Sequence, residues 1–294
     1  MKILITGATG RIGRAAYVRL CAEHQVIGLD RAPSSTADVL GDLTDEALLR
    51  RALQGVEAVI HTGALHAPQV DLLPDAEFER TNVAGTATLA RLAAEAGVAH
   101  IVFTSTTALY GDAATPEGRA GWVDETLAPQ PRTIYHRSKL AAESLLRDLA
   151  LAGGPAVTVV RMSRCFPEPA PLMAAYRLHR GIDARDVAQA QALAIAQPAP
   201  GWRVFVISGA TPFEPGDAPA LWHDAPAVLA QRAPTLVQAF AQRGWALPRR
   251  IDRVYSPALA QRVLGWQPRF GFAEVLQQLD ALTGEVLPVR AVTG

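Results

Sequence analysis

At 294 residues, 49% hydrophobic and 19% charged, the chain carries enough apolar material for a full core, which excludes a disordered polypeptide. Lys plus Arg and Asp plus Glu each total 28, so the formal charge is zero, and no like-charge run offers a surface to nucleic acid. No apolar stretch approaches the roughly 18 residues of a membrane span, and the opening Met1-Lys2-Ile3-Leu4-Ile5-Thr6 stops at Gly7, so neither a signal peptide nor an anchor is expected.

Along the chain, short β-branched runs alternate with longer Ala-, Leu- and Arg-rich segments at helical spacing, the pattern of βαβ units. Strands are expected at Lys2 to Thr6, Gln25 to Leu29, Ala58 to His61, His100 to Thr104, Val157 to Arg161 and Arg203 to Ile207. Helices are expected near Arg11 to Glu23, Asp45 to Leu53, Ala76 to Ala96, Thr133 to Leu151 and Asp183 to Ala196. The strand runs are apolar without alternation, as when helices cover both faces of a parallel sheet. The predicted fold class is therefore α/β, a Rossmann-type doubly wound parallel sheet with a small, mostly helical C-terminal lobe.

Proline-rich stretches at Cys165 to Leu172 and Ala210 to Pro219 break this rhythm, and the sequence after the second reads as helical with no further strand series. The expected division is a dinucleotide-binding domain over 1–165, completed by about 183–209, and a substrate lobe over 166–182 and 210–294, packed over the ligand edge of the sheet. The two cysteines, Cys21 and Cys165, form no CxxC pair and have no histidine at metal-ligand spacing. They read as packing residues in a reducing cytoplasm, with no disulfide and no metal.

The first strand runs into Gly7-Ala8-Thr9-Gly10-Arg11-Ile12-Gly13, three glycines at spacing three where a helix begins. Such a turn lets backbone approach a pyrophosphate, and the helix start presents free N–H groups and the positive end of its dipole. The alternative is a glycine turn needed only for close helix packing. Strand two ends at Asp30, about 20 residues past the glycines, where a carboxylate accepts both adenosine ribose hydroxyls. That favours NAD over NADP, although Arg31 can offset the repulsion of a 2'-phosphate, so dual use stays open. A solvated turn aspartate is the plainer reading of Asp30.

Three further stretches resemble the extended short-chain dehydrogenase/reductase superfamily, in its NAD-dependent epimerase/dehydratase branch. They are Gly41-Asp42-Leu43-Thr44, His61-Thr62-Gly63-Ala64, and Thr104-Ser105-Thr106-Thr107-Ala108-Leu109-Tyr110-Gly111 followed by Tyr135-His136-Arg137-Ser138-Lys139. The resemblance implies that Asp42 and Leu43 contact adenine, that Thr62, Gly63 and Ala64 line the cofactor, and that Asn82 supports the active-site helix. It adds Thr9, Arg11, Ile12, Ser105 and Met162 to the cofactor shell, along with Tyr135 and Lys139. Asp42 can instead cap the helix near Asp45, and Asn82 can simply bond a helix carbonyl.

Tyr135 and Lys139 stand four apart in a helical segment, so they share one face. An isolated phenol is a poor base at neutral pH, and a nearby ammonium or a cationic nicotinamide favours its phenolate. Tyr135 then takes a proton from a substrate hydroxyl while hydride passes to NAD, or the reverse. By resemblance Thr106 holds the reacting oxygen, and a register shift of one residue would give that role to Ser105.

On the substrate side, Arg164 stands where nucleotide-sugar epimerases usually carry an asparagine, and Arg161-Met162-Ser163-Arg164-Cys165-Phe166-Pro167-Glu168-Pro169 resembles uronate dehydrogenases. That resemblance implies a carboxylate-binding arginine in the following basic segment, Arg177 or second Arg180, which would clamp the carboxylate through two hydrogen bonds. Surface loop arginines are the alternative. His61, His66 and His136 can each donate to a substrate oxygen or be packing or surface residues, with His66 taken as the substrate-binding candidate, and no metal is implied. Leu264-Gly265-Trp266-Gln267-Pro268 resembles the family's closing segment and reads as scaffold.

The expected protein is an NAD-dependent oxidoreductase of a sugar or sugar-acid hydroxyl. The alternatives are an epimerase or dehydratase holding NAD tightly, or a non-catalytic NAD(P)-binding sensor. A homodimer is implied by resemblance, through the Ala-rich helices at 76–96 and 133–151.

Overall fold

The apolar runs form a mostly parallel sheet in the computed structural model, which describes residues 1–289. In chain order the first elements are β1 (Lys2–Thr6), α1 (Arg11–Leu20), β2 (Gln25–Asp30), β3 (Val39–Leu40), α2 (Glu46–Ala52), β4 (Ala58–His61), α3 (Asp75–Phe78), a π-turn at Glu79–Ala84, α4 (Gly85–Glu95) and β5 (His100–Thr106). There follow β6 (Gly121–Val123), α5 (Ile134–Leu151), β7 (Ala156–Met162), α6 (Ala170–Tyr176), α7 (Ala184–Ala196) and β8 (Trp202–Ile207). The last are α8 (Ala218–His223), α9 (Ala225–Arg232), α10 (Pro234–Gln242), β9 (Arg253–Tyr255), α11 (Ala258–Leu264) and α12 (Phe272–Asp280).

Seven strands lie in the order β3-β2-β1-β4-β5-β7-β8, a doubly wound arrangement. β1 pairs in parallel with β2 and β4, and β4 with β5, so that Thr6 stands beside Leu29 on one side and His61 on the other. Both faces are covered, which is why β4 and β5 are buried along their whole lengths. On one face α2, α4 and α5 pack Leu49, Leu89 and Leu146 against Leu4, Val59 and Phe103. On the other, α1 and α7 meet where Arg19 Nε donates to Gln189 Oε1 at 2.9 Å, and Gln191 Nε2 reaches Thr104 Oγ1 on β5 at 2.8 Å.

Local chemistry sets the helix starts. Asp45 accepts from Leu48 N to cap α2, and Thr133 accepts from His136 N to cap α5. Asp42 therefore does not cap α2. Its carboxylate closes a short turn by accepting from Thr44 N and Oγ1, both at 2.9 Å. The helix expected over 76–96 is interrupted by the π-turn at Glu79–Ala84, and helical periodicity alone gives no warning of one extra residue per turn.

By its internal contacts the chain divides into two units, 1–109 with 130–161 and 187–205, and 110–129 with 162–186 and 206–294. The second unit has its own core around Phe213, Leu221, Leu236 and Phe240. It also holds a two-stranded parallel sheet of β6 and β9. After the second proline-rich stretch no strand series follows among the described residues, but a single strand at Arg253–Tyr255 is not visible in the sequence, because three residues are too few to display a period of two. Trp266 is fully buried, its indole donating to Asp186 O at 2.9 Å, as befits scaffold. Residues 290–294 of the expected substrate lobe lie outside the described residues. Cys165 is buried as expected, whereas Cys21 is exposed just past the end of α1 and is not a packing residue.

Glu143 and Arg161 form a buried ion pair, with Glu143 Oε2 2.6 Å from Arg161 Nη2 and both side chains under a tenth exposed. Removing one partner strands a charge in low dielectric. Glu143→Ala should therefore cost about 3–5 kcal/mol in urea unfolding, and a loss below about 1 kcal/mol, the scale of an exposed pair, would contradict this. Burial also pushes three imidazoles below their usual value, His61 and His179 to about 3 and His100 to about 4. The unfolded chain takes up protons near pH 6.5 that the native state refuses, so this stability is full above that pH and is lost as pH falls toward the native values. The urea midpoint should drop between pH 6.5 and about 4.5, and a flat midpoint would contradict the burial.

Candidate active site

The glycine turn is built by close approach. Gly7 has φ +70, and a Cβ there would stand 2.5 Å from Gly63 N, while a Cβ on Gly13 would stand 2.1 Å from Gly7 O. The first and third glycines thus let α1 fold back against β1 and β4. Gly10 is exposed at the start of α1. Thr9 and Ile12 are half-buried, and Arg11 opens the helix. Asp30, at the end of β2, accepts from Thr9 N at 3.0 Å and from Ala32 N at 3.1 Å, so its carboxylate is fixed against the turn instead of being a solvated loop aspartate.

Arg31 does not point its charge freely into solvent, because it lies 3.7 Å from Asp42, which Arg80 also approaches at 3.5 Å. Burial raises the pKa of Asp42, but the bonds from Thr44 and the charges of Arg80 and Arg31 outweigh it and hold the carboxyl below its ordinary value. Leu43 is buried in the core beside it. Thr62 Oγ1 donates to Thr6 O at 2.7 Å, and Gly63 N to Thr6 Oγ1 at 3.4 Å, so the loop after β4 is tied to the end of β1. Ala64 O meets the Nδ1 of the exposed His66 at 3.3 Å.

Asn82 lies in the π-turn and is buried. Its side chain accepts from Leu65 N at 2.7 Å and donates to Leu65 O and to Ser138 Oγ, each at 2.9 Å, and bonds the neighbouring loop and helix rather than a carbonyl of its own helix. Ser138 Oγ in turn donates to Tyr135 O at 3.0 Å. Sequence alone named Asn82 but not Ser138, whose signal is its place between Tyr135 and Lys139.

Thr106 ends β5, accepts from Ala108 N at 3.1 Å, and hydrogen-bonds the Tyr135 phenol. Ser105 is buried with no side-chain partner among the described residues, so Thr106 and not Ser105 faces the tyrosine. Lys139, one turn beyond Tyr135, is buried with Nζ 3.9 Å from the centroid of Phe103. Its next neighbour on that face is Glu143, which sequence reasoning missed although the four-residue spacing was visible.

A nearby ammonium and a cationic nicotinamide are expected to favour phenolate, and burial within the fold works against them. Tyr135 is partly exposed as a residue, yet packing around its phenol pushes the pKa up to about 12, against the opposing bond from Thr106. Burial pulls Lys139 down to about 7, against the opposing charge of Glu143. Burial thus drives both members of the pair toward their neutral forms, the phenol protonated and the ammonium weakened as an acid-base partner.

Arg164, Arg177 and Met162 belong to the second unit. Met162 is half-buried at the end of β7. Arg164 is exposed, ion-paired with Glu168 and stacked over Phe166. Arg177 is not a surface loop residue. It is 2% exposed and its Nη2 lies 3.1 Å from Asp183 Oδ2, so its charge is already matched within the fold. Arg180 lies 3.4 Å from Asp252. Among the described residues no cluster of three or more His, Cys, Asp or Glu suits a metal ion, and no helix is long and apolar enough to cross a membrane.

A model of the NAD dependent epimerase/dehydratase family matches residues 3–170. Over 169 residues the chain is 32% identical to a UDP-glucose 4-epimerase of Neisseria meningitidis serogroup C, an alignment covering 51% of this chain and 49% of that one. Over 166 residues it is 31% identical to an NAD-dependent glucose-6-phosphate dehydrogenase of Haloferax volcanii, covering 49% and 61%. The chain thus spans about half the length of the first of these curated relatives. A short-chain dehydrogenase/reductase superfamily protein from Agrobacterium tumefaciens, solved with bound NAD, matches with a TM-score of 0.74 at 21% identity over 96% of each chain, which establishes a shared fold. With its family model spanning more than half of its residues, the chain belongs to the NAD-dependent epimerase/dehydratase family.

Proposed function

We infer that this protein is an NAD-dependent oxidoreductase that acts on a hydroxyl of a sugar or sugar acid. The observation that carries the reading is the Thr106 bond to Tyr135, with Lys139 one turn away, at the strand ends beside a glycine turn that only Cβ-free residues can form. The turn fits a dinucleotide: Gly10 opens α1 with its backbone exposed, and the fixed carboxylate of Asp30 stands where ribose hydroxyls donate. Arg31, held against Asp42, is drawn away from a 2'-phosphate, so NAD is the preferred cofactor.

When bound, oxidised nicotinamide supplies the hydride acceptor and a positive charge. Thr106 Oγ1 holds the reacting substrate oxygen beside the phenol. Tyr135 Oη takes the proton of the substrate hydroxyl in oxidation and returns it in reduction. Lys139, when charged, stabilises the phenolate, and Glu143 keeps part of that charge in place against burial.

Arg164 and Arg177 line one cleft of the second unit with Tyr176, and that unit is read as the substrate-selecting part; His66, in the first unit, is a separate candidate for a substrate oxygen. Matched to Asp183 and Glu168, the two arginines orient a polar substrate more than they neutralise it. The cytoplasmic homodimer expected from the sequence belongs to the same proposal, supported by Leu145 and Leu151, which α5 leaves exposed at 40% and 70%.

A second reading is an epimerase that returns the hydride, favoured by the likeness to UDP-glucose 4-epimerase. Purified protein mixed with NAD and a panel of free uronates, aldoses and UDP-sugars separates the two readings. NADH should accumulate with a free sugar or sugar acid, and Tyr135→Phe should slow it by about 100- to 10,000-fold. A flat trace with NAD held tightly by the protein would favour the epimerase, and an unaltered rate in Tyr135→Phe would overturn the site. Asp30→Ala should weaken NAD about tenfold or more while leaving NADP nearly unchanged, read by calorimetric titration, and equal effects on both cofactors would contradict the ribose assignment.

A further inference from the structure

His61 is fully buried at the end of β4, and its neutral ring lies between two hydroxyls. Its Nδ1 is 2.6 Å from Thr6 Oγ1 and its Nε2 is 2.9 Å from Thr86 Oγ1. The protons in this cluster can be assigned one by one. Thr86 Oγ1 lies 2.6 Å from Asn82 O, and a carbonyl can only accept, so the Thr86 hydrogen is committed there. Thr86 Oγ1 must then accept from His61 Nε2–H, which leaves Nδ1 bare to accept the hydroxyl hydrogen of Thr6. Thr6 Oγ1 is in turn left to accept from Gly63 N at 3.4 Å.

Every donor in the chain therefore points the same way: Gly63 to Thr6, Thr6 to His61, His61 to Thr86, and Thr86 to Asn82. That run ends on the backbone carbonyl of Asn82, and the same residue reaches the next helix separately through its side chain, whose Nδ2 donates to Ser138 Oγ, while Ser138 donates to Tyr135 O. Gly63 is the residue whose backbone meets Gly7 in the dinucleotide turn. We propose that His61 is a positioning residue that couples the dinucleotide turn to the Tyr135 and Lys139 helix, acting through a locked Nε2–H tautomer.

The role rests on the NAD-binding reading above, but the tautomer does not. Burial, with Lys139 as the nearby cation, holds the pKa of His61 down to about 3, so the ring stays neutral and keeps its bare Nδ1. Phe103 lies beside it with the rings tilted by 40° and their centroids 5.4 Å apart, and the same Phe103 ring carries Lys139 Nζ at 3.9 Å. A doubly protonated His61 would turn Nδ1 into a donor against Thr6 and undo the link on the side of the glycine turn.

Two substitutions separate the halves of the ring. His61→Gln keeps a donor for Thr86 but loses the acceptor for Thr6, and His61→Asn keeps the acceptor but loses the donor. If the coupling is as proposed, His61→Gln weakens NAD about tenfold more than His61→Asn does, at matched melting temperatures. A purely structural histidine would weaken NAD equally in both, and that result would overturn the coupling. Independently of either variant, nitrogen-15 NMR of the histidine-labelled protein should show one ring, lost in His61→Gln, as the pure Nε2–H tautomer from pH 8 down to about 5. An Nδ1–H tautomer or a mixture would overturn the assignment. Failure of the wild-type protein to bind NAD at all would sink the functional reading while leaving the tautomer result to stand or fall on its own.

Discussion

The architecture of the first unit hangs on one close approach, the meeting of backbone at the ends of β1 and β4. Gly7 faces Gly63 and Gly13 faces Gly7 O at separations that a Cβ cannot share. Because Thr6 and His61 are register partners, this contact also fixes the level at which the strands stop. Everything chemically interesting then lies just past those ends: the exposed start of α1, the carboxylate of Asp30, the loop from Thr62 to Leu65, and Thr106 two strands along. In a parallel sheet the strand ends are where side chains and loops are free to meet a ligand.

The second governing feature is charge under burial. A phenol pushed up to about 12 and an amine pulled down to about 7 are each held toward their neutral forms by packing. Opposing this are specific neighbours: the Thr106 hydroxyl at Tyr135, and the Glu143 carboxylate at Lys139. Glu143 is itself anchored by Arg161, with Nε and Nη2 both donating to its carboxylate. The charge on Lys139 is thus a balance between burial and the Glu143 carboxylate, and a phenolate at Tyr135 requires further positive charge beside it.

Much of this was legible in the sequence, and the reasons differ by residue. Apolar runs without alternation announced a sheet covered on both faces, and the strands and helices of the first unit fall within a few residues of the expected ends. The spacing of Tyr135 and Lys139 gave a shared helix face directly. The π-turn was invisible because nothing in Glu79-Arg80-Thr81-Asn82-Val83-Ala84 marks an extra residue per turn. The strand at Arg253–Tyr255 was too short to read, and the pairing of Arg177 with Asp183 could not be read because a basic segment looks the same whether its charges are matched or open. The polar chain through His61 depends on which strands are neighbours, a fact of topology that local sequence does not carry.

The central claim, that burial keeps Tyr135 a neutral phenol until a dinucleotide completes its surroundings, is tested most directly by phenolate absorbance. The difference spectrum between wild type and Tyr135→Phe isolates this one ring among the five tyrosines of the chain. Without NAD, no phenolate from Tyr135 should appear up to about pH 10, where ordinary tyrosines titrate. With saturating NAD, the phenolate should appear below that pH. An ordinary titration near pH 10 without NAD, or no movement on adding it, would contradict the account.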